Sequence, residues 1–370
     1  MKIIITSNTS WNLFNFRKEL IKELISAGYN VHVLAPKDKY SENLKKLGVT
    51  FHNIKLSRYN KTIIADFFYI LKVFIKILII RPNIIHNFTI KPVIYVGLAS
   101  CFFKSILVIN SITGLGISFS AKKSKSFLNK FILFLITISF NKKYKYIFQN
   151  PDDINFFIRK NILDLKQCYL IKGSGVVINN SFIKTPKSTN NVVFGIMSRM
   201  LWSKGVKDFI EAAKILNTKK LNIKFIVLGS PDINSPDSIP LSWLKNLNKI
   251  DNVFWSPHSD DIYNFLEKLD VFVLPSYYPE GLPKSLLEAA SMQLPLISTD
   301  TPGCKEIVRD NVNGFLVEIK NPINLAEKMY NLYLNKDLRM QMGKKSFDIV
   351  KKEFSIDKVV NETFKVYSSI

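Results

Sequence analysis

The chain has few cysteines and no low-complexity segment, and both shortages exclude classes of protein. Its 370 residues include only Cys101, Cys168 and Cys304, which are far apart and form no C-x-x-C pair. Isolated cysteines of this kind are typical of buried thiols in a reducing compartment, not of a disulfide framework or a zinc site. A chain of this length with 47% hydrophobic residues is expected to fold into two globular domains.

Long uncharged apolar runs are also missing. Residues 67–80 are interrupted by Lys72 and Lys76, and the apolar run 131–140 is only ten residues long. A spanning helix needs about 20 apolar residues, so neither run qualifies. The apolar run at residues 3–5 is far shorter than the core of a secretion signal. We therefore expect a soluble or peripheral protein.

Acidic residues are scarce in the first half of the chain. Residues 1–185 contain 28 Lys and Arg against 8 Asp and Glu, whereas residues 186–370 contain 24 against 21. A coding bias towards Lys, Asn and Ile accounts for part of the excess, but both halves share that bias. The asymmetry favours an anionic partner for the first half: lipid headgroups, lipid-linked phosphates or nucleic acid.

Short strands rich in Ile and Val alternate with helical stretches. In the first half we predict strands at 2–6, 30–36, 83–88, 106–110, 145–149 and 168–172, with helices at 11–29, 40–47, 92–103 and 126–140. In the second half we predict strands at 192–197, 223–229, 253–255, 271–276 and 295–299, with helices at 205–216, 241–248, 260–268, 283–292 and 322–334. Repeated βα units indicate parallel sheets with helices on both faces.

The polar segment 183–191 contains a proline and has no periodicity, and we interpret it as an interdomain linker. The predicted domains are residues 1–183 and 192–354, with a C-terminal helix at 355–370 that packs back on the first domain. Doubly wound sheets bind ligands beyond the carboxyl ends of their strands. The two domains are expected to face each other across a cleft.

The loop after the strand 192–197 carries two cations beside a predicted helix start. Arg199 and Lys204 are five positions apart, and Gly205 follows directly. A helix N-terminus offers unpaired amides and a positive dipole end, and Arg and Lys both bind phosphate oxygens. The pattern therefore fits a diphosphate site. A pair of exposed loop cations is the alternative.

The stretch "YYPEGLPKSLLEAA", residues 277–290, contains two carboxylates eight positions apart. Glu280 precedes a helix whose entrance at 281–283 offers backbone amides, and Glu288 lies in its second turn. The alternative is that Glu280 caps the helix while Glu288 pairs with Lys284 four residues earlier. Two further glycines, Gly229 and Gly303, follow other strands and allow a close backbone approach by a ligand.

Taken together, the arrangement R-x4-K-G, a later Gly, and P-S-x3-E-G-x-P-x4-E resembles glycosyltransferase family 4, whose members have the GT-B fold. The likeness extends over essentially the whole chain. "NIIHNFTIKP" and "INSITGLG" in the first half resemble a narrower group that builds bacterial O-antigen, capsule and glycoprotein sugars on undecaprenyl diphosphate. Within it, the nearest likeness is to N-acetylgalactosaminyl transferases that act on an undecaprenyl-linked amino sugar.

The resemblance implies a retaining transfer of an N-acetylhexosamine or hexose from a nucleoside-diphosphate sugar, UDP-linked, to a lipid-diphosphate-linked saccharide. The first domain would bind the acceptor and the second the nucleotide sugar. No cofactor or metal is expected, and the sequence lacks the metal-bridging D-x-D motif. Two cations would instead neutralise the leaving diphosphate.

The resemblance also assigns candidate residues. The catalytic candidates are Arg199 and Lys204 at the diphosphate, Glu280 at the sugar hydroxyls, and His86 at the end of a first-half strand, approaching the donor sugar; a core histidine is the alternative. The donor-binding candidates are Gly229, Gly281, Leu282, Pro283, Glu288 (on the ribose) and Gly303. The acceptor-binding candidates are Asn15, Lys91, Thr113, Gly114 and Gly116.

One feature departs from the family pattern. Many members have a Gly-Gly pair in the first βα loop, but here residues 7–16 read "SNTSWNLFNF". Either the diphosphate approaches a bulkier loop, or this loop contacts the acceptor.

The first half also predicts a peripheral location on the cytoplasmic face of the plasma membrane. Lysines flank the apolar run 131–140 on both sides and would dock on anionic lipid; they are Lys122, Lys123, Lys125, Lys130, Lys142, Lys143 and Lys145.

Three other functions compete with this reading. A GT-B sugar-nucleotide epimerase would turn over a UDP-sugar without an acceptor. A nucleic-acid-binding protein would fit the charge, but the sequence has no zinc finger, helix-turn-helix or RNP-like aromatic strand, so nucleic acid is not an expected partner. An inactive sugar-nucleotide binder is the third, and the intact motif residues argue against it.

Overall fold

The computed structural model describes residues 1–56, 63–114, 134–179, 191–278 and 280–368. The chain forms two compact units: Met1–Gly175 together with Ile356–Ile370, and Val176–Ser355. Val176 N–H donates to the carbonyl of Phe354 at 3.0 Å, which ties the start of the second unit to its end. Almost all of the predicted linker 183–191 lies outside the described residues.

The first unit is built on a parallel sheet of seven strands in the order β3-β2-β1-β4-β5-β6-β7. The strands are β1 Lys2–Thr6, β2 Asn30–Ala35, β3 Thr50–Asn53, β4 Ile84–Phe88, β5 Leu107–Ile112, β6 Lys145–Phe148 and β7 Cys168–Leu170. The helices are α1 Ser10–Ser26, α2 Ser41–Lys46, α3 Ile63–Ile80, α4 Ile90–Ser100, α5 Pro151–Arg159 and, at the C-terminus, α12 Ile356–Ser368. Residues 134–139 are also helical.

Helices cover both faces of this sheet because its apolar side chains alternate. Ile3 and Ile5 pack in one core with α1, α2 and α12, while Ile4 packs in another with α3 and α4. Alternation of side chains along a strand produces these two cores. At the start of α1, Thr9 takes the N-cap position and its side chain accepts from the backbone N–H of Asn12 at 3.1 Å.

The second unit is built on a parallel sheet of six strands in the order β10-β9-β8-β11-β12-β13. The strands are β8 Val192–Met197, β9 Ile223–Leu228, β10 Val253–Ser256, β11 Val271–Leu274, β12 Leu296–Thr299 and β13 Gly314–Val317. The helices are α6 Val206–Asn217, α7 Leu241–Leu247, α8 Ile262–Glu267, α9 Lys284–Ser291, α10 Pro322–Leu334 and α11 Lys336–Glu353. One apolar core runs through the whole unit.

The predicted α/β class with two parallel sheets is confirmed. The structure adds five elements that were not predicted as helices or strands: β3, α3, α5, β13 and α11. One prediction about the cysteines is wrong in part, because Cys101 is exposed and Cys168 half-buried, and only Cys304 is buried. Within the described residues, no helix is long and apolar enough to cross a membrane.

Candidate functional site

Four loops of the second unit lie together at one edge of its sheet. They follow β9, β8, β11 and β12, which are neighbours in the sheet, so all four leave from the carboxyl edge. Backbone hydrogen bonds join three of them directly: Tyr277 N–H donates to Ser203 O at 2.9 Å, and Met200 N–H donates to Ser230 O at 3.0 Å. The structure therefore brings together the loops that carry the second-half candidates.

Lys204 is the most enclosed cation of this edge. It lies at the end of a single 3-10 turn, Trp202–Lys204, and is only 8% exposed. Its ammonium forms an ion pair with Glu280 and lies 4.9 Å from the centre of the Tyr278 ring. The hydroxyl of Ser276 lies 3.4 Å from Oε1 of the same carboxylate. Lys204 is thus a positioned charge between two loops, and the alternative of an exposed loop cation does not describe it.

Gly205 allows this placement. Its φ is +75°, in the left-handed region, and a Cβ at this position would overlap the carbonyl of Pro275. Only glycine fits a backbone with both constraints. The close approach holds the start of α6 against the end of β11.

Arg199 forms a second ion pair at the same edge. Its Nη1 lies 2.9 Å from Oδ2 of Asp232, and about a third of its side chain is exposed. Gly229, at the end of β9, has a φ of +147°, and a Cβ there would overlap the carbonyl of Ser198. The loop after β9 therefore lies in close contact with the loop after β8, and this contact places Asp232 beside Arg199.

The helix α9 begins where the sequence places its entrance, with Pro283 at the N-cap position and Leu282 buried before it. Gly303, with a φ of +83°, packs so closely on this loop that a Cβ would lie 2.6 Å from the carbonyl of Gly281. The loop that leads into α9 is therefore packed directly against the loop that follows β12.

Glu288 is almost entirely buried one turn inside α9. Burial raises its pKa to about 6, although the nearby Lys284 ammonium, 3.6 Å from Oε1, acts in the opposite direction. Burial, with a smaller contribution from the Glu288 charge, raises the pKa of Tyr263 to about 12. The predicted alternative pairing with Lys284 is present. The carboxylate nevertheless retains the properties of an enclosed hydrogen-bond acceptor.

His86 occupies a different position from the one that the sequence suggests. It is the middle residue of β4, not its end, and it is 1% exposed. Its Nδ1 lies 2.7 Å from the Tyr367 hydroxyl and its Nε2 lies 2.7 Å from the Ser111 hydroxyl. Burial lowers its pKa well below the usual value, and Arg17 adds to the shift, so the ring is neutral. This placement favours the alternative of a core histidine.

The acceptor candidates lie in the first unit, near the ends of adjacent strands. Lys91 lies in the first turn of α4, 3.6 Å from Asp66, and Thr113 and Gly114 directly follow β5. Asn15 bonds within its own helix, donating from Nδ2 to the carbonyl of Trp11 at 3.0 Å.

Two of the predicted features lie outside the described residues. One is Gly116. The other is the set of lysines at 122–130 that precedes the apolar run 131–140.

Sequence reasoning missed three residues of this site: Asp232, Tyr278 and Tyr263. A signal was available for Asp232, because it follows Gly229 by three positions in a loop beside that of Arg199. Tyr278 lies two residues before Glu280 in the quoted stretch. Tyr263 has no comparable signal, since it lies inside the helix α8 and not in a loop that follows a strand.

Two protein families match the two halves of the chain. Residues 177–348 match the family described as "Glycosyl transferases group 1". Residues 2–150 match the family described as "Glycosyl transferase 4-like".

Curated relatives and a solved structure show the same likeness. The N,N'-diacetylbacillosaminyl-diphospho-undecaprenol alpha-1,3-N-acetylgalactosaminyltransferase of Campylobacter jejuni is 28% identical over 360 residues, 93% of this chain and 92% of that protein. The Escherichia coli UDP-Gal:alpha-D-GlcNAc-diphosphoundecaprenol alpha-1,3-galactosyltransferase is 30% identical over 188 residues, 47% of each chain. The crystal structure of Anabaena HepE with UDP and glucose superimposes with a TM-score of 0.79 at 17% identity, covering 100% of both chains.

Proposed function

Because the chain belongs to the group 1 glycosyltransferases and has the GT-B fold, we propose that it moves an N-acetylhexosamine or hexose from a UDP-sugar to a lipid-diphosphate-linked saccharide. The transfer retains the anomeric configuration and uses no metal. The observation that carries this proposal is the enclosed Lys204–Glu280 pair, at the strand edge where α6 and α9 begin.

The two cations of the site act on the leaving diphosphate. Negative charge grows on its oxygens as the sugar–phosphate bond breaks, and preorganised cations stabilise that charge at little reorganisation cost. Lys204 is held in place by Glu280, and Arg199 by Asp232. Arg199 offers a planar fork that matches two phosphate oxygens, and Lys204 offers a compact charge. Together they replace the metal ion that a D-x-D motif would hold.

The carboxylates bind hydroxyl groups and move no proton. Glu280 precedes the amides of α9 and accepts from a sugar hydroxyl while it holds Lys204. Glu288, buried inside α9, accepts from the ribose hydroxyls. A carboxylate with a pKa of about 6 is ionised at neutral pH and is a strong acceptor. Glu280 thus binds the transferred sugar of the donor, and Glu288 binds the ribose of the same molecule.

The acceptor assignment rests on the relatives and on charge. The names of the Campylobacter and Escherichia proteins both contain a diphospho-undecaprenol acceptor. The first 185 residues carry 28 basic against 8 acidic side chains, which suits an acceptor with a diphosphate. We assign Lys91, Thr113 and Gly114 to the diphosphate of the acceptor or to its sugar. Asn15 is assigned to the acceptor as well.

The decisive experiment is a panel of nucleotide sugars incubated with a synthetic prenyl-diphosphate amino sugar and followed by mass spectrometry. We expect one UDP-sugar to give a disaccharide product, with an anomeric configuration by NMR that matches the donor, and equal yield with EDTA. A UDP-sugar isomerised without an acceptor would instead identify an epimerase. Binding without turnover would identify an inactive binder.

Substitutions test the site itself. Arg199→Ala or Lys204→Ala is expected to lower transfer by about 10² or more, as the loss of one transition-state donor commonly does. Lys214→Ala is the matched control, because that lysine pairs with Glu211 at 3.0 Å on the surface of α6. Near-wild-type turnover in both site variants contradicts the assignment.

A further inference from the structure

The helix α3 is apolar on two opposite faces. On one face Tyr69, Val73 and Ile77 are buried against the sheet. The opposite face consists of apolar side chains that are 42–71% exposed: Ile64, Phe67, Phe68, Leu71, Ile75, Leu78 and Ile79. These seven residues are called the outer face of α3.

The outer face is a continuous stripe. Its members recur every three or four residues, and at 3.6 residues per turn this spacing keeps them on one side for the whole helix. At 1.5 Å per residue the 18 residues of α3 extend about 27 Å. Phe102, 76% exposed, lengthens the patch through a ring contact with Phe74 at 6.0 Å.

A stripe of this size needs an explanation, because scattered apolar side chains are normal on a surface but contiguous ones mark interaction sites. The buried face of α3 already accounts for its packing on the sheet. The outer face adds nothing to that packing and remains available for contact with another surface.

The charges beside the stripe identify the partner. Lys72 is exposed and Lys76 half-buried, and both lie along one flank of the outer face. The single acidic residue of α3, Asp66, is turned the other way, accepting from the Tyr95 hydroxyl at 2.6 Å and lying 3.6 Å from Lys91. The outer face is therefore apolar, and the charged side chains of α3 that lie beside it are both positive.

We propose that the outer face of α3 inserts into the interfacial region of an anionic lipid bilayer. The apolar side chains enter the acyl boundary, and Lys72 and Lys76 extend to the headgroup phosphates, as long cationic side chains do at membrane surfaces. The choice of partner rests on the proposed function, since a lipid-linked acceptor lies in a membrane.

A second copy of the chain fits the outer face less well. Pairing two such faces would bring together two units that each carry a large excess of positive charge, and like charges oppose association. An anionic membrane instead attracts the same charge. The outer face shares no residue with the predicted lysine-flanked run at 131–140.

The test uses the full-length protein and vesicles of phosphatidylglycerol or of phosphatidylcholine. The wild type is expected to co-sediment with the anionic vesicles, more weakly at high salt. The triple variant Phe67→Gln, Leu71→Gln, Ile75→Gln is expected to lose binding at least about tenfold. The matched control, Ile323→Gln, Leu334→Gln, Met340→Gln, removes three apolar side chains of α10 and α11 that are 56–64% exposed, against 42–62% for the α3 triple variant, and is expected to bind normally.

A second measurement reports insertion directly. A Trp introduced as Leu71→Trp is expected to be quenched by brominated lipids, above the quenching of the native tryptophans. Unchanged vesicle binding by the α3 triple variant, or no added quenching, overturns the inference. So does a wild-type dimer that the triple variant converts to a monomer, because the face would then join two copies.

The proposed function is tested separately with a water-soluble short-prenyl acceptor. Transfer to it is expected to be unchanged in the α3 triple variant, and only transfer to an acceptor embedded in vesicles is expected to fall. Vesicle binding without any transfer would refute the proposed function and leave the docking surface standing.

Discussion

Lys204 forms its ion pair with Glu280 across two loops that follow adjacent strands, β8 and β11, although 76 positions of sequence separate them. Both side chains are about nine-tenths buried. Each therefore compensates for the desolvation of the other, and neither can be removed without leaving a partly buried charge behind. The two residues are expected to behave as one functional unit.

A double-mutant cycle on this pair is the first prediction. Lys204→Met and Glu280→Gln are each expected to lower kcat by about 10², since each removes a positioned charge and disturbs the other. The double variant is expected to lose far less than the product of the two effects, because residues that act as a unit are not additive. Steady-state kinetics on the three variants measures this. Fully additive losses would mean that the two side chains act independently.

The proposed contact between Glu288 and the ribose is expected to make donor binding depend on pH. Its pKa is about 6, and only the ionised carboxylate accepts from two ribose hydroxyls. The donor KM is expected to rise as the pH falls from 7 to about 5, while Glu288→Gln gives a higher KM that does not change over this range. Glu280→Gln is expected to lower kcat more than Glu288→Gln does. The reverse order would favour acid/base roles for the carboxylates.

The same pKa has a consequence for stability. The folded protein holds the Glu288 proton more tightly than the unfolded chain, whose ordinary pKa is 4.5. Protonated Glu288 therefore favours folding at low pH, and this contribution is lost as the pH rises through about 6. We expect the difference in urea midpoint, Glu288→Gln minus wild type, to be more positive at pH 8 than at pH 5, because only the wild type carries a buried charge at pH 8.

Two glycines with nearly the same φ allow the cost of a left-handed backbone to be measured separately from the cost of steric overlap at Cβ. Gly205 has a φ of +75° and no room for a Cβ, whereas Gly28 has a φ of +79° and no heavy atom within 4 Å of an added Cβ. Gly28→Ala is expected to cost about 1 kcal/mol for the left-handed backbone alone. Gly205→Ala is expected to cost clearly more and to lower transfer, because the 3-10 turn of Lys204 must move. Equal losses of stability with normal turnover would show that the loop adapts.

The hydrogen bond between Tyr367 and His86 tests whether His86 stabilises the fold and takes no part in catalysis. Tyr367→Phe leaves a fully buried imidazole nitrogen without its 2.7 Å partner and is expected to cost about 1–3 kcal/mol. Urea unfolding measures the loss, and the turnover of the remaining folded protein is expected to be unchanged. Ser368→Ala, which removes a hydroxyl from an exposed part of the same helix, is the control. A fall in kcat without a matching loss of stability would instead support the hypothesis that His86 contacts the donor sugar.

The fold was predictable wherever a strand is both apolar and buried. The strands β1 "KIIIT", β4 "IIHNF" and β8 "VVFGIM" each contain a short apolar run and are almost wholly buried, as central strands of a parallel sheet are. The edge strand β3, "TFHN", is short and half-exposed, so no apolar run marks it. The helix α11 was missed because its buried residues include Gly343 and Ser346, which give little apolar periodicity.

For the candidate site, the sequence allowed the position of its loops to be predicted but not the pairing of its charges. A strand-end loop indicates that Arg199 and Lys204 lie at the carboxyl edge, and the quoted stretch does the same for Glu280. Which carboxylate meets which cation depends on the order of strands in the sheet, and one sequence does not reveal that order. His86 shows the converse error: the predicted strand 83–88 agrees with β4, but His86 lies in the buried middle of that strand and not at its end.

The return of α12 to the first unit affects how the protein is made. Val359, Val360 and Val366 share a core with Ile3 and Ile5, residues that leave the ribosome more than 350 positions earlier. That core stays incomplete until α12 has been synthesised. The second unit, by contrast, is one continuous segment, Val176–Ser355, and holds all of its own core residues. The first unit therefore completes its core only after the whole second unit has been synthesised, which departs from the usual order from the N-terminus.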